Sequence, residues 1–292
     1  MYSLNIKYLF SLLRRNPAQL YLETVKDIKK DFFQKTELKI NYVWCIALPK
    51  SGSTIIEKIF DFLPYVQGNK SILRKYNLDT ILSDDQINLD TFKSFPSKKL
   101  TFLKTHTAYT SEFLKIRKIY NPKIIYLKRN IQDMMLSRYF HILADQNHWQ
   151  HKIINKMNFQ DGFLKSCVYK KDKVNFQNTH ISPIKYYFEW LKDWEENLDD
   201  SILQLEFEDF VKDKLEFIKK ILLHINFDDY KLEKKITNYF DKTNNSNNLG
   251  SNLNKIGRNM STFRSGKINE FKKLLDESTK QKFKSLLSNI IK

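Results

Sequence analysis

Four short segments of this 292-residue chain hold residue types that could bind phosphate and move a proton. The first is Pro49-Lys50-Ser51-Gly52-Ser53-Thr54. Gly52 lets backbone approach an anion closely, Ser53 and Thr54 add hydroxyl donors, and Lys50 supplies a compact positive charge. A Walker A loop needs two glycines spaced around four residues before Gly-Lys-Ser/Thr, and that order is absent, which disfavours ATP binding of that type. The second segment is Lys104-Thr105-His106. A neutral imidazole, with an unperturbed pKa near ~6.5, accepts a proton at physiological pH. The third pairs Arg129, whose guanidinium can fork onto a phosphate, with Ser137 eight residues later. The fourth runs from Phe263 to Lys272, where Arg264, Ser265 and Gly266 precede a helix and suit a phosphate clamp. Each also has an ordinary reading taken alone: a Ser-capped helix, a structural histidine, an exposed helix serine, a basic surface loop. His141, His148, His151, His180 and His224 lack comparable placement, and His148 with His151 is at most half a metal site.

The elements that must carry these segments alternate along the chain. Tyr42 to Leu48 reads as a buried strand, apolar and too short for a helix. A turn over Pro49 to Ser53 leads to Thr54 to Phe62, where Ile55, Ile56, Ile59, Phe60 and Leu63 recur at helical spacing. Strand, tight turn and helix together present bare N–H groups at a helix start. Lys99 to Lys104 is a second strand running into Thr105 and His106; Glu112 to Tyr120 is helical until Pro122 stops it. Lys123 to Lys128 is a third strand, after which Asn130 caps a helix through His141 and Asp133 complements its dipole. A helix over Pro183 to Leu198, a strand over Ser201 to Glu206 and a helix over Phe210 to Ile225 follow. Asp241 to Asn259 is Asn-rich and expected to be a loop, and a last helix starts near Glu270 and continues to the end. This alternation predicts an α/β fold, one P-loop-like parallel sheet with helices on both faces. Ligands in such sheets bind beyond the carboxyl ends of the strands, where three of the four segments fall. Residues 1–38 are expected as an N-terminal helical extension and 39–292 as a single α/β domain.

Bulk properties narrow the class less. Apolar residues at 41% and aromatics at 14% support a buried core rather than general disorder. Fifty Lys and Arg against 33 Asp and Glu leave a formal charge of +17. Such an excess attracts nucleic acid, anionic lipid or a small polyanion, yet a bias towards Lys, Asn and Ile would also raise it without any function. Cys45 and Cys167 are too few for a disulfide framework or metal cluster and suit a reduced, cytoplasmic protein. No segment approaches the ~20 apolar residues of a membrane span. Met1 to Arg15 lacks a signal-peptide pattern and reads as a helix packing on the body, with an amphipathic helix on anionic lipid as the sharper alternative.

Taken together, the four segments resemble the sulfotransferases that use 3′-phosphoadenosine 5′-phosphosulfate (PAPS), the cytosolic type and its bacterial relatives. The family's PKSGTTW loop is followed by Pro49 to Thr54, its Lys-Thr-His motif by Lys104 to His106, its Arg and later Ser by Arg129 and Ser137, and its late RKGxxGDWK motif is echoed from Arg264 to Lys272. All four stand in family order. The resemblance implies that Ser51, Gly52, Ser53 and Thr54 cradle the 5′-phosphosulfate and that Lys50 stabilises the departing phosphate. It implies His106 as base, Lys104 as a steadying charge on the sulfuryl oxygens, and Arg129, Ser137, Arg264 and Gly266 around the 3′-phosphate. No metal is expected, because lysines and backbone amides do the neutralising. Ile55 stands where the family stacks a Trp on adenine, Phe207 where it often has an adenine-contacting Tyr, and Ser265 where it has a basic residue. The expected acceptor is a hydroxyl compound, a small molecule or a lipid or glycan and not nucleic acid, with aromatic and basic residues between Phe140 and Tyr187 shaping its pocket. The rival readings are a nucleotide kinase, a non-catalytic polyanion or membrane-surface binder, and a relative that binds donor without turnover.

Overall fold

The computed structural model describes residues 42–63, 66–67, 88–93, 100–169, 181–245 and 266–291. The expected N-terminal extension therefore lies outside the described residues. Within them, β1 (Tyr42–Ala47), α1 (Ser53–Asp61), β2 (Val66–Gln67), α2 (Leu89–Lys93), β3 (Leu100–Thr105) and α3 (Ser111–Tyr120) come first. Next are β4 (Lys123–Lys128), α4 (Ile131–Ala144), α5 (His151–Ile154), α6 (Phe159–Val168), α7 (Pro183–Glu195) and β5 (Ile202–Glu206). The rest is helical: α8 (Phe207–Lys212), α9 (Lys214–His224), α10 (Tyr230–Asn245), α11 (Glu270–Leu274) and α12 (Glu277–Ile291).

The strands form one sheet in the order β2-β3-β1-β4-β5, with every pairing parallel. Every residue of β1 is buried, as a central parallel strand covered on both faces requires. Alternation divides it between two cores. Trp44 and Ile46 join Leu103 and Tyr126 beneath α3, α4, α6, α7 and α12. Val43, Cys45 and Ala47 join Phe102, Ile125 and Leu127 against α1, α9 and α10. The chain leaves β1 towards β3 on one side and β4 on the other, so the carboxyl end of β1 is a switch point where a crevice opens.

Three expectations change. The helix read over Phe210 to Ile225 is two helices, because Asp213 is extended between them and its carboxylate caps the Glu216 N–H at 2.9 Å. The last helix is likewise broken, with Leu275 extended and Asp276 accepting from the Thr279 N–H at 2.7 Å. The loop expected from Asp241 begins too early: α10 carries through Asn245, and the remainder lies outside the described residues. Both helix breaks are local side-chain caps that hydrophobic periodicity does not register.

Candidate active site

After β1 the chain turns on two left-handed residues, Lys50 at φ 75° and Gly52 at φ 94°. The Ser51 N–H donates to the Leu48 carbonyl at 3.2 Å and its hydroxyl donates to the same oxygen, closing the turn on itself. Gly52 is required twice over. Its φ disfavours any side chain, and a Cβ would lie 2.4 Å from Cδ2 of Phe207. No side chain caps the start of α1 and no acidic residue sits in its first turn, so the positive end of the helix faces the turn uncompensated. Ser53, buried, and Thr54, half-buried, open that helix. Burial pushes the Lys50 ammonium down to about 8; Arg138 pushes the same way and Asp145 opposes.

Arg129 stands directly after β4. Its Nη1 donates to the Lys50 carbonyl at 3.1 Å and its Nη2 to the Lys267 carbonyl at 3.0 Å. The guanidinium also lies 4.3 Å from the centroid of the Phe207 ring. One side chain thus joins the loop after β1, the residue after β5 and the segment before α11. In that segment Gly266 is left-handed at φ 62°, and the chain after it is fastened by Asp133 of α4. The buried Asp133 carboxylate accepts from the N–H groups of Asn269 at 2.7 Å and Phe271 at 2.9 Å, capping α11 from outside. Met134 beside it touches the Ser51 hydroxyl at 3.6 Å, and the half-buried Ser137 lies three residues further on the same helix face.

His106 follows β3. Its Nδ1 is bonded to the Ala47 carbonyl at the end of β1, so Nδ1 carries the proton and Nε2 presents a lone pair. Burial lowers the imidazole to about 4, opposed by the Ala47 bond and helped by Lys104 and Lys50. It is therefore neutral at physiological pH. Helix α7 braces this corner: Trp190 Nε1 donates to the His106 carbonyl at 3.2 Å, Trp194 Nε1 to the Thr107 carbonyl at 3.0 Å, and the Tyr187 hydroxyl to the Pro49 carbonyl at 3.2 Å. The Thr105 hydroxyl accepts from Trp44 Nε1 at 2.8 Å. Lys104 is buried and ion-paired with Glu57 of α1.

The arrangement offers a cradle for an anion, a second cationic anchor and a neutral imidazole at one end of the sheet. Residues 41–289 match the family model described as the sulfotransferase domain. The chain belongs to the sulfotransferase family. Sulfuryl transfer from PAPS is the activity that this membership carries. No curated protein matches the chain in sequence. Among solved structures, the mouse sulfotransferase SULT7A1 complexed with PAP, the desulfated donor, is similar at 19% identity and a TM-score of 0.60, covering 91% of this chain and 89% of its own. Retinol dehydratase with retinol and PAP is similar at 17% identity and a TM-score of 0.54, covering 94% and 86% respectively. The same enzyme with androsterone and PAP reaches a TM-score of 0.56 at 16% identity, covering 100% and 95%. At these identities the likeness is one of fold.

Of the residues expected to serve this sulfotransferase, Lys50 to Thr54, His106 and Arg129 gather at the carboxyl ends of β1, β3 and β4, with Ser137 and Gly266 alongside. Arg264 and Ser265 lie outside the described residues. Phe207, expected to contact adenine, is only 2% exposed and packs against both Gly52 and Arg129. Ile55 is buried in the core beneath the loop. Sequence reasoning missed Glu57, the clamp made by Asp133, and the bonds from Tyr187, Trp190 and Trp194. The last three were visible only as an apolar helix face. His148 and His151 take separate partners, the Gln150 N–H at 3.1 Å and the Ile142 carbonyl at 2.8 Å, and do not converge. His141 and His148 instead sit 6.2 Å apart edge to face. Burial first, with Lys50 and Arg138 adding, lowers them to about 4 and about 3.

Proposed function

We propose that Lys50 to Thr54 bind the 5′-phosphosulfate of PAPS, that Arg129, Ser137 and the segment from Arg264 to Gly266 bind its 3′-phosphate, and that His106 is the base. The acceptor's O–H gives its proton to Nε2 of His106 while its oxygen attacks sulfur. The bond from sulfur to the bridging oxygen breaks on the opposite side, and Lys50 meets the negative charge left on the 5′-phosphate of PAP. Such in-line transfer needs positioning and fixed positive charge rather than a covalent intermediate. The anionic donor also cancels part of the field of Lys104 and Lys50, which raises the proton affinity of His106 where a base needs it.

The observation that carries this reading is Arg129, whose two nitrogens hold the carbonyls of Lys50 and Lys267. Arg129 thereby joins the turn assigned to the 5′-phosphosulfate to the late segment assigned to the 3′-phosphate, a second anion site that a nucleotide kinase acting on ATP has no use for. The acceptor is a small-molecule hydroxyl compound, a class supported by the retinol and androsterone in the neighbouring structures. Among the described residues no helix is long and apolar enough to cross a membrane. Peripheral lipid contact through residues 1–15 is a separable part of the proposal, read by vesicle cosedimentation with and without that segment.

The test uses labelled PAPS and an extract of the cells that make the protein. Wild type should label one class of acceptor. His106→Ala should lose transfer by about 10²–10⁴-fold, the usual worth of a general base, while PAP affinity stays nearly intact. Near wild-type turnover from that variant would reject the base.

A further inference from the structure

Glu57 has no part in the chemistry described so far, yet its side chain is only 14% exposed and its carboxylate is bonded to the ammonium of Lys104, whose side chain is 6% exposed. Glu57 lies four residues after Ser53 in α1, one turn below the uncapped helix start. Lys104 is the penultimate residue of β3 and registers with Cys45 of β1, on the sheet face that α1 covers. The Cys45 thiol, pushed up to about 12 by its burial, feels both charges, lowered by Lys104 and raised by Glu57. The adjacent Lys58 is served by its own partner, Asp61, at 2.8 Å. A carboxylate just beneath an anion-binding turn repels the anion, and a buried charge is tolerated only when paired. Both costs make sense if the carboxylate serves the lysine.

We propose that Glu57 is a positioning residue for sulfuryl transfer, fixing the Lys104 ammonium beneath the Lys50–Thr54 turn so that it meets the sulfuryl oxygens as an oriented donor. The inference rests on the sulfuryl-transfer reading of the same site. Without the carboxylate, the lysine remains near the donor but loses the charged partner on α1 that orients it. Loss of orientation acts on the reacting geometry more than on ground-state attraction, because removing a negative charge does nothing to repel PAP.

The experiment is a mutant cycle of Glu57→Gln, Lys104→Gln and the double variant, read by PAP affinity and by release of labelled sulfate from PAPS, with water as the probe acceptor. Glu57→Gln should slow sulfate release about tenfold or more with PAP binding no weaker than wild type, in line with the effect of misplaced catalytic groups. The double variant, which also removes the stranded charge and so guards against misfolding, should be no slower than Lys104→Gln alone. Losses that multiply in the double variant would overturn the inference, as would a Glu57→Gln variant that binds PAP and releases sulfate at the wild-type rate. Failure of the wild-type chain to bind PAP overturns the reading of the whole site instead.

Discussion

His106 and Lys50 are both shifted downwards by burial, with opposite consequences for the proposed chemistry. Lowering the imidazole to about 4 keeps it unprotonated and ready as an acceptor, whereas lowering the ammonium to about 8 brings Lys50 close to losing its charge. The free enzyme should therefore show kcat/KM for PAPS that is level between these two values, falling above about 8 as Lys50 deprotonates. Saturation with the anionic donor restores the Lys50 proton, so the alkaline limb of kcat should lie at higher pH than that of kcat/KM. An acid limb of kcat/KM near 6.5, the ordinary histidine value, would contradict the burial of His106 in the free enzyme. Arg129 is the other residue that binding can isolate. Arg129→Ala should weaken PAP by roughly 1.5–3 kcal/mol, the worth of hydrogen bonds to a charged group, and AMP by much less. Equal losses for the two nucleotides in calorimetric titrations would refute the 3′-phosphate assignment.

At the level of elements, the candidate site is held by helices that brace its loops from outside. α7 holds three backbone carbonyls, at Pro49, His106 and Thr107, and so ties the turn after β1 to the end of β3. α4 does the same for the late segment through Asp133, which caps α11 across 138 residues of sequence. Asp133→Asn keeps the shape but loses the charge, and one amide group now faces two N–H donors. The expected cost is about 1–3 kcal/mol. That loss would appear as a melting temperature lower by roughly 2–8 °C in a chain of this size. PAP affinity should fall with it, because the Lys267 carbonyl that steadies Arg129 is no longer anchored. A variant that melts like wild type and binds PAP equally would show that the segment is fastened by other contacts.

The whole molecule carries an acid sensitivity that follows from its histidines. In the unfolded chain each imidazole takes up its proton near 6.5, whereas in the fold His106 and His141 do so near 4 and His148 near 3. The unfolded state therefore binds more protons across the interval below 6.5, and stability falls as pH falls through it. Above 6.5 these groups are neutral in both states and contribute no pH dependence. Thermal melts from pH 7 to pH 4 should move steadily downwards, and His148→Gln should flatten that slope by removing one linked proton. A melting temperature indifferent to pH over the same range would mean that the imidazoles are exposed.

The sequence by itself determined the class of fold and the inventory of candidate site residues. The glycine turn after an apolar strand, the Lys-Thr-His strand end and the arginine after β4 are local signals, written in residues that are neighbours in the chain. Alternating apolar runs were enough to infer a parallel sheet with both faces covered, because a strand like Tyr42–Ala47 has no polar face to turn outwards. Helix breaks at Asp213 and Asp276 escaped because a single capping side chain leaves the apolar spacing intact. Which residues support the inventory was decided by tertiary structure alone. That Phe207 fills the space against Gly52, that Glu57 answers Lys104, and that Arg129 reaches Lys267 all depend on the strand order β2-β3-β1-β4-β5. Periodicity reports which face of an element is buried and is silent on which element it is buried against.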